Sequence, residues 1–441
     1  GDVYKRQIKY KIRRNAMKKR MLVISLDAMI SEDLEYMKTL PNLGPIVNNG
    51  SIVKNSQTVY PSLTYTAHAS MISGTYPDKH GVVNNEIFNP FMKFGDWFEN
   101  RTDIHANILP EECEKHGLKV LINSWPTMVG ADVTWNLQRA GIHQVADDKK
   151  ASMIANSTPG LMERMYELCS DAWKEDKYYD SDKFSGLASK ILIEESAPDV
   201  IFMHMTLIDH YRHVYGVYSE KIKDAIKFID EMLGYTFDAL KEKGLYDETI
   251  FVICSDHGQV NIDESININQ DFIKKGWITV DEDFNVTDWK VYAHSAAASA
   301  QVYVKDGDPA LIKEVGEYLE ANKERFRIDR MFTMDEVKNE FNLDGQFVYV
   351  LEAKEGVGYN FRLSDPFEKK VANEDYRTSV GTHGHIPTRG SQPALVISGP
   401  GIPKGRIIEK ASNVDIAPTC AALLGFEMPG ADGRVLKELI F

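Results

Sequence analysis

Three short apolar runs constrain this chain more than any other feature. They are MLVISL at 21–26, VIFMHM at 200–205 and TIFVIC at 249–254. Runs this short and this apolar mark strands buried on both faces, as in a parallel sheet covered by helices. Helical patterns lie between them. Residues 31–39 and 41–48 read as helices stopped by Gly50. Over 219–243, Ile222, Ile226, Ile229, Leu233 and Leu240 recur at helical spacing ahead of Gly244. Strands alternating with helices predict an α/β fold with a doubly wound, mostly parallel sheet.

Each apolar run leads into acids and histidines. Asp27 follows the first run directly, Asp209 and His213 come shortly after the second, and Asp256 and His257 follow the third within SDHG. A fourth piece, GTHGH, places His383 between glycines. In open α/β sheets the ligand crevice lies at the carboxyl ends of the strands, so these residues are expected to converge. The spacing Asp209-x3-His213 puts both side chains on one helical face. Each piece alone is commonly a capping device or a surface ion pair. Together, three carboxylates and three imidazoles make two three-ligand sets, enough for a two-metal site with room for substrate.

The stretch 61–85, PSLTYTAHASMISGTYPDKHGVVNN, adds a hydroxyl. Pro61 favours an extended residue before it, and 65–73 reads as a short helix ended by Gly74. Thr64 then stands at the first helical turn, where unpaired N–H groups and the positive dipole end favour an anion. A threonine there is ordinarily an N-cap. Beside a convergent metal site it becomes a candidate nucleophile.

With LDAM, PSLT and its continuation SGTYPDKHGVVNN, TLIDHYRHVYG, SDHG and GTHGH in that order, followed by PALVISGPGIPKG and NVDIAPTCAALLG, the chain resembles the type I phosphodiesterase/nucleotide pyrophosphatase family of the alkaline phosphatase superfamily. The likeness runs from Met21 to near the end. It implies that superfamily's core with an inserted α+β cap. It also implies that Asp209, His213 and His383 hold one ion, and that Asp27, Asp256 and His257 hold the other beside Thr64. Asn85 would grip a phosphoryl oxygen together with a backbone N–H. The implied reaction cleaves phosphodiester or pyrophosphate bonds of nucleotide-like small molecules through a phosphothreonine. Mixed imidazole and carboxylate ligands suit Zn²⁺, and Mn²⁺ where oxygens dominate. The alternatives are a phosphonoacetate hydrolase-like or other phosphoric-ester hydrolase of the superfamily, or a silent binding protein. His68, His204, His210 and His385 are expected to support the site rather than ligate.

The remaining expectations are coarser. Residues 1–20 hold nine Lys or Arg and no apolar run, and GDVYKRQ is similar to a translated sequencing adapter. They read as a disordered or partly non-native leader, and a cytoplasmic location is expected. Residues 21–264 and 379–441 read as the catalytic core, interrupted by a cap at 265–378. The stretch 144–198 reads as mostly helical. A net charge of −14 argues against nucleic-acid polymers or anionic membranes as partners and leaves a small phosphorylated substrate. Oligomeric state is left open. The four scattered cysteines are expected to be unpaired. No arginine lies between Thr64 and Arg101, so the segment around Thr64 is expected to offer no guanidinium clamp, with Arg212 or a cap arginine as the alternative source.

Overall fold

The computed structural model describes residues 19–93, 95–139, 149–174, 177–371 and 379–441. Nearly all of the expected leader lies outside these residues, as do 144–148 and 175–176 of the expected helical stretch and 372–378 of the expected cap.

In chain order, the elements that build the site and its support are β1 (Arg20–Leu26), β2 (Ser51–Gln57), α1 (Thr64–Ser73), β3 (Val120–Asn123), β4 (Trp135–Leu137), α2 (Lys177–Ser196), β5 (Val200–Met205), α3 (Leu207–Tyr215), α4 (Ile222–Glu242), β6 (Thr249–Cys254), β7 (Val291–Ala296), β8 (Ser299–Val304), β9 (Ile328–Thr333), β10 (Tyr349–Ala353), β11 (Leu395–Ser398) and β12 (Ile407–Ser412). The main sheet runs β12-β2-β11-β6-β1-β5-β3-β4. β1 is parallel to both neighbours, with Leu26 beside Met205 and Ser25 beside Cys254. The three apolar runs therefore end at one edge.

Side chains of β1 alternate between two cores, as the period of a strand requires. Leu22, Ile24 and Leu26 pack with Ile226, Ile229, Leu233 and Leu240 of α4. Met21 and Val23 pack on the opposite face with Ala69 and Ile72 of α1. Each such Val, Leu, Ile or Met side chain, moved from water into the core, contributes about 1.5–3 kcal/mol. The doubly wound arrangement follows from that two-sided burial. α4 lies against α2 so closely that a Cβ added at Gly186 would come 2.4 Å from the Met232 carbonyl oxygen. Gly186 is what permits the approach.

The expected helices at 31–39 and 41–48 are shorter, Asp33–Met37 and Leu43–Asn49. Between β6 and β11 the chain builds a second, antiparallel sheet of order β7-β8-β10-β9. One face packs into its own core, with Val302, Leu319, Phe326 and Leu351. The other face, through Phe332, Phe347 and Val350, packs against Tyr60 and Ile386. Among the described residues no helix is long and apolar enough to cross a membrane. Cys113, Cys169, Cys254 and Cys420 are buried free thiols.

Candidate metal and nucleophile site

Thr64 opens α1, one residue earlier than expected, with Leu63 as an extended N-cap that offers no side-chain acceptor. That role passes to Asn85, whose Oδ1 accepts the Tyr65 backbone N–H at 2.9 Å. The bond fixes Asn85 with its amide N–H groups left as donors. Asn84 steadies the same loop, giving its Nδ2–H to Gln301 Oε1 of β8 at 3.1 Å. Thr64 Oγ1 lies 3.1 Å from His257 Nε2.

The six expected ligands meet at the carboxyl ends of β1, β5 and β6. Asp27 follows β1, and its N–H bonds the Met205 carbonyl at 2.9 Å. Asp27 Oδ1 lies 3.5 Å from His257 Nε2. One turn of α3 brings His213 Nε2 to 3.3 Å from Asp209 Oδ2. His383 Nε2 stands 3.9 Å from Asp209 Oδ1. Asp256 Oδ1 accepts the Ala28 N–H at 3.1 Å, and its Oδ2 lies 3.2 Å from His257 Nε2.

All three histidines are oriented in one way. Nδ1 of His213, His257 and His383 meets the carbonyls of Gly381, Gly258 and Ser62 at 2.6, 3.1 and 3.1 Å. A carbonyl accepts only, so each Nδ1 carries the proton and each Nε2 lone pair faces the site. This is how proteins set histidines as metal ligands. Asp209, His213 and His383 each place a ligand atom within 4.8 Å of the others, and so do Asp27, Asp209 and His257. Asp209 belongs to both groups. Asp256 adjoins the second group through His257.

The electrostatics fit divalent cations. Burial, then the Asp256 and Asp209 charges, push the Asp27 carboxyl well above its usual range. Burial also pushes Asp209 up, but His213, His383 and His257 outweigh it and hold that carboxyl low. Burial, then His257, lowers His383 far below the usual imidazole value, which keeps it in the neutral, ligating form. Asp27 Oδ1 and Asp256 Oδ2 are buried without a hydrogen-bond partner among the described residues. Clustered carboxylates of that kind are costly to bury unless a cation neutralises them.

The other histidines surround this set. His68 bonds Ser25 Oγ through Nε2 at 2.8 Å and the Thr64 carbonyl through Nδ1 at 2.7 Å, tying α1 to β1. His204 Nε2 lies 3.4 Å from Asp27 Oδ2. His385 Nδ1 lies 3.4 Å from Ser62 Oγ. His210 stacks on Tyr178 at 3.8 Å between ring centroids.

Arg212 does not bring its guanidinium to the site. It turns back from α3 to the Ala28 carbonyl at 3.0 Å, to Asp33 Oδ2 at 2.5 Å and to the Val217 carbonyl. Three other residues bear on the site, and the sequence reading missed them. Gln259 gives its Nε2–H to Asp209 Oδ1 at 2.5 Å. Asp182 of α2 caps α3, accepting the Thr206 and Leu207 N–H groups at 2.9 and 3.0 Å. Burial raises that carboxyl to about 6. Burial lowers the guanidinium of Arg139, just past β4, and the charges of Asp182, Tyr65 and Asp27 oppose that lowering. Its Nε is buried with no hydrogen-bond partner among the described residues.

Residues 21–385 match the sequence profile described as type I phosphodiesterase / nucleotide pyrophosphatase. The chain belongs to that family. Curated members are distant from it. Human ectonucleotide pyrophosphatase/phosphodiesterase family member 1 is 26% identical over 246 residues, 54% of this chain and 23% of the relative. The venom phosphodiesterase of Macrovipera lebetinus is 24% identical over 254 residues, 55% of this chain and 26% of the relative. The match therefore spans well under half the length of either relative. Human ectonucleotide pyrophosphatase/phosphodiesterase 5 superposes with a TM-score of 0.65 at 18% identity, covering 94% of this chain and 97% of that chain. An inactive threonine-to-alanine variant of the murine protein, in complex with AMP, gives 0.64 at 17% with the same coverage. This type I phosphodiesterase family member thus has the alkaline phosphatase-like fold.

Proposed function

We propose that the chain is a hydrolase dependent on two divalent ions that cleaves phosphodiester or pyrophosphate bonds of nucleotide-like small molecules, with Thr64 as nucleophile. The placement of Thr64 Oγ1 at the start of α1, 3.1 Å from His257 Nε2 and one residue from the N–H that holds Asn85, carries the reading. Asp209, His213 and His383 would hold one ion; Asp27, Asp256 and His257 would hold the other, with Asp209 in reach of both. When bound, such ions acidify an oxygen nucleophile and stabilise charge on phosphoryl and leaving oxygens. Zn²⁺ suits this donor set best, and Mn²⁺ is the second choice.

Asn85 donates to a non-bridging oxygen and holds phosphorus before Thr64. Thr64 Oγ1 forms a bond to phosphorus as the bond to the leaving oxygen breaks, and water then cleaves the phosphothreonine and restores the hydroxyl. The AMP bound by the murine relative supports a nucleotide-like substrate. Residues 265–378 act as the cap over a core of 21–264 and 379–441, and the separate apolar core of the second sheet supports that division. The buried free thiols support a reducing, cytoplasmic setting. A second reading, a phosphonoacetate hydrolase-like or other phosphoric-ester hydrolase, draws on Arg139, because a guanidinium suits a second anionic group.

A substrate panel tests both. Turnover of bis(p-nitrophenyl) phosphate and of a dinucleotide, abolished by a strong chelator and restored by Zn²⁺ or Mn²⁺, is expected. Turnover of phosphonoacetate in preference to either would favour the second reading. Full activity without metal would overturn both.

A further inference from the structure

Two hydrogen bonds and an ion pair meet on Glu352, a fully buried carboxylate in β10. Its Oε2 accepts the Tyr60 hydroxyl at 2.9 Å. Its Oε1 accepts the Ile386 backbone N–H at 3.0 Å and pairs in charge with Nη2 of Arg389 at 2.8 Å. Tyr60 lies on the segment leading into Thr64, and Ile386 and Arg389 lie on the loop that carries His383. One side chain of the second sheet thus grips both catalytic segments.

The placement follows from strand period. Val350 and Glu352 share the face of β10 turned to Tyr60 and Ile386, while Leu351 and Ala353 fill the sheet's own core. Packing alone would be served by another aliphatic residue there. A carboxylate is costly in that position: burial raises it to about 7, against the pull of Arg389. Burial, then Glu352, also pushes the Tyr60 phenol well above its usual value, so Tyr60 stays a donor. The β7–β8 turn presses on the same loop. Ala298 N–H bonds the His383 carbonyl at 2.9 Å, and Ser299 Oγ–H bonds the Gly384 carbonyl at 2.6 Å. Gly384 has φ +84°, and a Cβ there would come 1.8 Å from the Ala296 carbonyl oxygen. The two catalytic segments also touch each other, through Gly384 N–H to the Ser62 carbonyl at 2.8 Å.

We propose that Glu352 is a positioning residue for the reaction, setting the separation of Thr64 and His383 and so making the second sheet part of the catalytic apparatus. The inference rests on the reading of Thr64 as nucleophile and His383 as ligand. A misplacement of about 1 Å in such a constellation can lower turnover about a hundredfold.

Glu352→Gln, Tyr60→Phe and the double variant, each in the full chain, test it. Three measurements are made on each: thermal unfolding, the visible spectrum and binding isotherm of added Co²⁺, and kcat and KM on bis(p-nitrophenyl) phosphate. For Glu352→Gln, kcat is expected to fall at least about tenfold with KM within about threefold, and the Co²⁺ spectrum to shift. The double variant is expected to be no worse than Glu352→Gln alone, because both changes break one linkage. A folded Glu352→Gln protein with wild-type kcat and Co²⁺ spectrum would overturn the proposal. Should Glu352→Gln fail to fold, Tyr60→Phe decides by the same criteria, since it removes only a hydroxyl. If the wild type fails to turn over any phosphate ester, the proposed function falls on its own. The Co²⁺ spectra then still decide for Glu352, and identical spectra in wild type and variants would reject it.

Discussion

Thr64 Oγ1 and His257 Nε2 stand 3.1 Å apart across a separation of 193 residues. β6 delivers His257 at its carboxyl end, and α1 delivers Thr64 at its first residue. Replacing Thr64 with alanine is therefore expected to lower kcat by at least about a thousandfold, with Co²⁺ binding and thermal unfolding unchanged. Thr64→Ser should retain part of the activity. Wild-type turnover by Thr64→Ala would instead make water the direct nucleophile.

Metal content gives a second check. The protein is expected to bind two divalent ions, read by elemental analysis after dialysis. His383→Ala should lose the affinity of one of them, because His383 joins Asp209 and His213 in only one of the two ligand groups. The unfolding midpoint of the metal-free protein should change little. Retention of both ions at unchanged affinity would exclude His383 as a ligand.

Arg139 bears on substrate choice. Asn85 supplies only neutral donors, which fits the single charge of a diester. The p-nitrophenyl ester of a nucleoside monophosphate is thus expected to exceed p-nitrophenyl phosphate in kcat/KM by at least about tenfold, or about 1.4 kcal/mol. Arg139→Gln is expected to widen that ratio by about threefold or more, since a monoester dianion gains more from a guanidinium. An unchanged ratio would confine Arg139 to balancing the charge of Asp182.

His80 gives stability a pH dependence away from the site. It is fully buried, its Nδ1 accepts the Val82 N–H at 3.1 Å, and its Nε2 lies 2.8 Å from Ser70 Oγ. Burial, then His105, lowers its pKa to about 3. The unfolded chain takes up this proton near pH 6.5, well before the folded one does. His80 therefore contributes stability that is present above about pH 6.5 and is lost toward pH 3, at about 1.4 kcal/mol per unit. Urea unfolding between pH 7 and 4 is expected to show a shallower slope for His80→Gln, by up to one proton. An identical slope would mean that His80 titrates normally when folded.

The central strands were legible because burial on both faces leaves each run mostly apolar, with Ser25, His204 and Thr249 as single exceptions. Asp27, Asp256 and His257 could be read because each directly follows such a strand, and Asp209 with His213 because one helical turn separates them. The residues that escaped have no local pattern. Gln259 reaches Asp209 across 50 residues, and Asp182 reaches Thr206 across 24. Arg139 follows a strand of three residues, too short to register as apolar periodicity. Glu352 sits in a β-like run whose one acid looks like a solvent-facing residue until Tyr60 and Ile386 are seen against it. The sharing of Asp209 between two ligand groups is likewise a matter of distance alone.

β11, which the chain reaches only after the second sheet, lies antiparallel between β2 and β6. β2 has no other route into the sheet from β6, so a nascent chain that stops before Leu395 holds the segment carrying Thr64 after a strand not yet joined to β6. In such a chain only the packing of α1 on β1, with the His68–Ser25 bond, holds Thr64 toward His257. The position of Thr64 relative to His257 is thus expected to become fixed only once β11 has been translated.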